Sequence, residues 1–194
     1  MKKFLLGLFV AFAGLMPLSS SAANPQVEMK TSQGTILIEL FPEAAPTTVD
    51  NFLQYVKSGF YDGLIFHRVM NGFMIQGGGF DPQMNQKATR APIRNEAKMA
   101  LEKGVRNEPG SLAMARTNDP DSATAQFFIN LVDNRMLDYP ARDGFGYTAF
   151  GRVVKGMEVV NNIATVRTGN AGMHQNVPMT PVVIQSARIL ESKP

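Results

Sequence analysis

Two periodicities of apolar and polar positions organise this chain, one of about 2 residues and one of about 3.6. Residues 27–32 and 35–41 are rich in β-branched side chains and partly alternate, with Gln33-Gly34 between them, and predict a hairpin. Pro42 and Pro46 end its second arm. Thr47 or Thr48 is then placed to cap a helix in which Val49, Phe52, Leu53 and Val56 recur at i, i+3, i+4 and i+7, with Gly59 at the C′ position. Met157, Val160 and Ile163 mark a second, short helix within 156–164. Further strands are predicted at 111–115, 126–131, 148–153 and 182–190, separated by Gly, Pro, Asn and Asp clusters. About eight strands with two helices argue for a mainly β fold, a sandwich or a closed barrel, and closure would remove the exposed edges that invite aggregation. Residues 81–110 and 165–181 are expected to be long polar loops.

The stretch from Phe66 to Phe80 sets one arginine, Arg68, and one glutamine, Gln76, among large apolar side chains. Asn71-Gly72 suits a two-residue type I′ turn with φ positive at both positions, so 66–70 and 73–77 are expected to pair and bring Arg68 close to Gln76. That composition fits a dry, shaped pocket with few polar groups. The Gly77-Gly78-Gly79 run lacks a following helix or lysine, and reads as a bend from strand to loop rather than a phosphate cradle. Taken singly, each residue has an ordinary alternative. Phe73, Met74, Phe128 and Leu137 fit a core, Arg68 fits a pair with a carboxylate, and Gln76 fits a bond to a backbone group.

The N-terminus changes the picture of charge and compartment. Lys2-Lys3, an apolar run at 4–15 broken only by Gly7 and Gly14, Pro17 and the small residues at 19–23 have the layout of a secretory signal peptide, with cleavage after Ala22 or Ala23. The run is too short for the ~20 residues of a membrane span. Residues 1–22 are therefore expected to be removed, leaving 23–194 as a single domain, a length suited to one core. Without Lys2 and Lys3, 17 basic residues face 16 acidic ones, and no basic cluster exceeds a pair. Neither a nucleic acid partner nor a membrane partner is expected once the signal is gone.

Chemistry is narrowed further by what the sequence lacks. With no cysteine there are no disulfides, thiol nucleophiles or thiolate metal sites. His67 and His174 are the only histidines, and neither has an acidic or second histidine neighbour at ligand spacing, so no metal is expected. The G-x-S-x-G elbow, the P-loop and H-E-x-x-H are absent, as is a G-x-G-x-x-G opening a helix.

A second block, Gly110-Ser111-Leu112-Ala113-Met114-Ala115-Arg116, is followed by Asp121-Ser122-Ala123-Thr124-Ala125-Gln126-Phe127-Phe128-Ile129-Asn130. Combined with Phe-His-Arg-Val at 66–69 and Gly-Phe-Met-Ile-Gln-Gly-Gly at 72–78, in this order and spacing, it resembles the cyclophilin family of peptidyl-prolyl cis/trans isomerases, in its exported bacterial form. The resemblance runs from Thr-Ser-Gln-Gly-Thr-Ile at 31–36 to Pro-Val-Val-Ile at 181–184. It implies a closed eight-stranded antiparallel β-barrel capped by two helices. It makes Arg68 the catalytic guanidinium and Gln76 its catalytic support, and makes Phe73, Met74, Phe128 and Leu137 walls of a proline pocket. Backbone groups of Ala115, Arg116 and Thr117 would hold the residue before the proline, with Gln126 lining the same groove and Met136 and Tyr147 at its rim. Arg116 stands where many relatives have asparagine, and Tyr147 where many have histidine. Met136 stands where many have tryptophan, which implies weak inhibition by cyclosporin. The resemblance further implies isomerase activity without a cofactor, unfolded or partly folded exported proteins as partners, a periplasmic location and nothing beyond a monomer. The alternative is a chaperone that binds proline segments without needing catalysis.

Overall fold

The first hairpin forms as its alternation predicts, from β1 (Gln26–Thr31) and β2 (Gly34–Leu40), in a computed structural model that describes residues 23–191. The expected signal at 1–22 lies outside the described residues. Val27, Met29, Ile36, Ile38 and Leu40 are fully buried, each such side chain contributing ~1.5–3 kcal/mol on leaving water. The amphipathic helix follows as α1 (Pro46–Lys57), burying Val49, Phe52, Tyr55 and Val56.

The cap of α1 is not the expected one. Ala45 holds the N-cap position without a side-chain bond, and neither Thr47 nor Thr48 caps the helix. The Glu96 carboxylate does so from a distant segment, accepting from the Thr47 N–H at 3.1 Å, the Thr48 N–H at 2.8 Å and the Thr48 hydroxyl at 2.7 Å. Its charge also meets the positive end of the helix dipole. Glu96→Ala is expected to cost about 2 kcal/mol, because it leaves buried donors unpaired. Urea denaturation measures this, and a loss below about 0.5 kcal/mol would mean the helix start stands without the carboxylate.

The remaining elements are β3 (Arg68–Met70), β4 (Met74–Gly77), α2 (Ala97–Glu102), β5 (Ser111–Met114), β6 (Phe127–Asn130), a 3-10 turn (Arg135–Leu137), β7 (Ala149–Lys155), α3 (Met157–Ala164), β8 (Thr168–Ala171), β9 (His174–Pro178) and β10 (Ile184–Leu190). Eight strands form one antiparallel sheet in the order β10-β1-β2-β7-β5-β6-β4-β3. The expected closed barrel is thus a curled sheet whose edge strands β10 and β3 share no ladder. Its seam is joined by one bridge, Ile65 to Val183, and by the bonds Phe66 N–H to Val182 O at 3.0 Å and Ile184 N–H to Leu64 O at 2.7 Å.

Two expected polar loops contain structure. The six-residue helix α2 lies within 81–110, and β8 and β9 form a separate two-stranded hairpin within 165–181. Among the described residues, three helices, rather than two, therefore accompany the sheet. Inside it, Phe52 meets the rings of Tyr61, Phe150 and Phe127 at centroid distances of 5.3, 5.3 and 5.6 Å, pinning α1 to the core.

Candidate active site

Arg68 and Gln76 face each other directly in the β3–β4 register. The turn joining these strands differs from the expected type I′ form. Gly72 alone takes a positive φ, 75°, and Met70 pairs with Met74 across residues 71–73. The extra residue releases Phe73 from the ladder, and its carbonyl accepts from the Leu131 N–H at 2.9 Å and the Asn134 amide at 3.0 Å.

Alternation sorts β4, β5 and β6 onto two faces. Ile75, Leu112 and Ile129 point into the main core. Met74, Ala113 and Phe128 join a second apolar cluster on the opposite face, with Phe73, Leu137 and Tyr147 packed against it. Burial on both faces explains why these strands read as unbroken apolar runs rather than alternating ones.

A groove of about 350 Å³ opens over this second cluster, lined by Phe73, Met74, Phe128 and Leu137, with Arg68 and Gln76 beside them and Ala115, Arg116 and Tyr147 completing it. Nine of the twelve residues expected at the site therefore come together here. The Arg68 side chain is exposed and makes no hydrogen bond to a described residue, and every ion pair among the described residues uses another basic group. The carboxylate pairing that would have made it structural is not present among them.

Gln126, Thr117 and Met136 lie elsewhere. Gln126 accepts from the Gln76 amide at 3.0 Å and lines a neighbouring groove of about 430 Å³ with Arg68, His67 and residues of the β8–β9 hairpin. Gly79 makes room for it, since a Cβ there would sit 2.6 Å from the Gln126 side chain. Thr117 turns its hydroxyl to Ser122 at 2.8 Å. Met136 is 64% exposed and stands outside the groove, whereas Leu137 after it lies within.

Sequence reasoning missed a buried amide network behind the groove. Asn130 donates to Asn107 Oδ1 at 3.2 Å and to Ser111 Oγ at 2.9 Å, and accepts from Asn134 at 2.7 Å. Asn107 donates in turn to Asp138 Oδ1 and to the Tyr147 carbonyl, at 2.9 and 3.1 Å. These bonds fix the backbone that carries Phe73 and Tyr147. The available signal was an asparagine ending an apolar strand, Phe-Phe-Ile-Asn, since such a residue is tolerated in a core only when its amide is satisfied.

His67, next to Arg68, is 5% exposed and packs its ring 4.7 Å from that of Phe80. Burial, followed by the nearby His174 and Arg68 charges, lowers its pKa to about 4, against ~6.5 in an unfolded chain. Between those values the unfolded state binds a proton that the native state refuses, so this contribution is complete above about pH 6.5 and is lost as pH falls towards 4. The loss expected from His67 alone is about 3 kcal/mol. His67→Phe should flatten the stability profile by that amount between pH 7 and 4 in urea titrations, and an unchanged slope would assign the acid sensitivity elsewhere.

Chemically, the groove offers an apolar seat for a small ring and one guanidinium free of any neutralising partner among the described residues. It presents no nucleophile with an adjacent base.

The family described as "Cyclophilin type peptidyl-prolyl cis-trans isomerase/CLD" matches residues 26–189. Among characterised proteins, peptidyl-prolyl cis-trans isomerase cyp18 of Streptomyces antibioticus is 57% identical over 166 residues, covering 84% of this chain and 98% of that one. Peptidyl-prolyl cis-trans isomerase A of Dickeya dadantii (strain 3937) is 50% identical over 182 residues, covering 94% and 93%. The crystal structure of a cyclophilin-type peptidyl-prolyl cis-trans isomerase from Cryptosporidium parvum superposes with a TM-score of 0.73 at 26% identity, covering 88% of this chain and 99% of the other.

Proposed function

This chain belongs to the cyclophilin-type peptidyl-prolyl cis-trans isomerase family, and from that premise we propose that it accelerates X-Pro rotation in exported proteins as they fold, using a hydrogen bond from Arg68. It is an isomerase of the bacterial cyclophilin kind. The observation that carries the finer reading is the Arg68 guanidinium, beside the apolar wall of the groove and without an ion pair among the described residues.

Amide resonance sets the rotation barrier at ~18–20 kcal/mol, while cis and trans prolyl forms differ by only ~0.5–1 kcal/mol. No covalent bond is made or broken. In the twisted transition state conjugation is lost and the prolyl nitrogen gains a lone pair, which accepts a hydrogen bond that the planar amide nitrogen cannot. A permanently protonated guanidinium stabilises that state more than the ground state, and only such a difference lowers a barrier. The apolar walls would seat the ring while the acyl side turns, and Gln76 would hold the neighbouring Gln126 in place. Neither a metal nor a titrating acid enters the scheme.

Export to the periplasm is supported by the layout at 1–22, and the mature protein is expected to begin at Ala23 or Asn24. N-terminal sequencing of the protein recovered from a periplasmic extract checks this, and an intact Met1 would overturn it.

The folding role is tested on an exported substrate whose refolding is limited by proline isomerisation. Catalytic amounts should accelerate its slow phase. Suppressed aggregation without a faster phase would make the protein a chaperone for proline segments instead.

A further inference from the structure

Arg116 lies two residues past the end of β5, beside the groove, yet its side chain is only 3% exposed and is engaged by the protein itself. Nε and Nη2 donate to the Gly146 carbonyl at 3.1 and 2.9 Å, and Nη1 donates to the Thr117 carbonyl at 3.0 Å. Nη2 also pairs with the Asp143 carboxylate. The guanidinium carbon lies 4.3 Å from the centroid of the Tyr147 ring. Asp143 Oδ1 accepts from the N–H groups of Phe145 and Gly146 at 3.0 and 3.1 Å, and the Arg116 hydrogen bond is the main cause holding the Asp143 carboxyl far below its usual range.

The segment so gripped leaves the groove at Leu137 and returns at Tyr147. Its neck is closed by the Tyr147 N–H donating to the Leu137 carbonyl at 2.8 Å. The residues between are a surface excursion whose outer part, 142–145, is exposed, so little apolar burial holds it in place. Both residues of the neck line the groove, and Tyr147 meets Phe128 edge to face at 5.8 Å.

We propose that Arg116 is a positioning residue, whose guanidinium holds the 138–146 excursion to the sheet and so sets the distance between the Leu137–Tyr147 wall and Phe128. This rests on the groove being the seat of the prolyl ring. Arginine suits the task because one planar group donates along its edges and stacks on an aromatic face simultaneously. A lysine at this position keeps the charge but has neither the fork nor the plane.

The wall touches the ring in planar and twisted states alike, so displacing it weakens both equally. Arg116→Lys is therefore expected to raise the dissociation constant of an Ala-Pro peptide about tenfold, the scale of one lost packing contact in a pocket. The cis/trans exchange rate at saturation should stay within about twofold. NMR titration and exchange spectroscopy give both quantities, with the thermal midpoint recorded alongside. Asp143→Asn still accepts from Phe145 and Gly146 but loses the ion pair, and should give a smaller rise in the same constant. Since Asp143 is 39% exposed, this variant should fold even if Arg116→Lys does not. A lowered midpoint with unchanged peptide affinity in whichever variants fold would reduce Arg116 to a structural tie and overturn the proposal. Peptide-induced shifts in the wild type that miss the groove would overturn the groove assignment itself, independently of Arg116.

Discussion

Arg68→Ala is expected to lower turnover of an Ala-Pro peptide by about two to three powers of ten, while the affinity for the peptide changes by less than about threefold. The estimate takes one preorganised donor aimed at developing electron density as worth ~3–4 kcal/mol of barrier, as measured for a lost oxyanion-hole donor. Binding should persist because the ring's contacts come from Phe73, Met74, Phe128 and Leu137, which the substitution leaves in place. Folding should persist as well, since Arg68 is exposed and bonds to no described side chain. Exchange spectroscopy at equal concentrations of wild type and variant makes the comparison directly. Arg68→Lys sharpens it, because a point charge on a flexible stem replaces a rigid donor array, and recovery there should be partial. Undiminished turnover in Arg68→Ala would remove the guanidinium from the mechanism and leave the acceleration to the apolar groove alone.

The largest effect on stability is expected from Phe52→Ala. Phe52 is fully buried and surrounded by Tyr61, Phe127 and Phe150, three rings that cannot collapse into the space it leaves. Such a change costs ~3–5 kcal/mol, the transfer of the ring plus the cavity it opens. At ~2–4 °C per kcal/mol for a domain of this size, the thermal midpoint should fall by about 6–20 °C. Calorimetry or circular dichroism reads that shift. Phe145→Ala supplies the control, because Phe145 is 48% exposed and should move stability by no more than about 0.5 kcal/mol. Equal losses in the two variants would mean that α1 is not held by its aromatic contact.

These expectations separate what local pattern encodes from what it cannot. The i, i+3, i+4, i+7 spacing of Val49, Phe52, Leu53 and Val56 located α1, because one buried stripe suffices to define it. Its cap was misplaced because Glu96, 48 positions from Thr48, supplies it, and no local rule weighs a distant carboxylate. The β8–β9 hairpin was hidden for another reason. Thr168, Gly169 and Asn170 of β8 and His174 and Gln175 of β9 are exposed, and the burial of β9 is confined to Val177 and Pro178 at its end, so the strands carry no alternation to read. In the site, the nearness of Arg68 and Gln76 was legible from two strands around Asn-Gly, but a two-residue turn would set Arg68 opposite Ile75, and it is the additional turn residue that makes Arg68 and Gln76 face each other. The walls became legible only through the resemblance, since an apolar residue in a strand gives no sign of which face it occupies when both are buried. Arg116 was expected to act through its backbone, and the reach of its side chain to Asp143 depends on an excursion whose path the sequence does not reveal.

The sheet order also fixes a sequence of events in time. β1, the first strand, lies between β2 and β10, and Gln26 is paired in register with Leu190. A chain emerging from its N-terminus can make the β1–β2 hairpin early, but one flank of β1 stays bare until the last strand arrives. Loop closure across nearly the whole domain must precede that pairing, a topology that folds slowly and late. This prolyl isomerase therefore has a vulnerable interval in its own folding, ended only by β10.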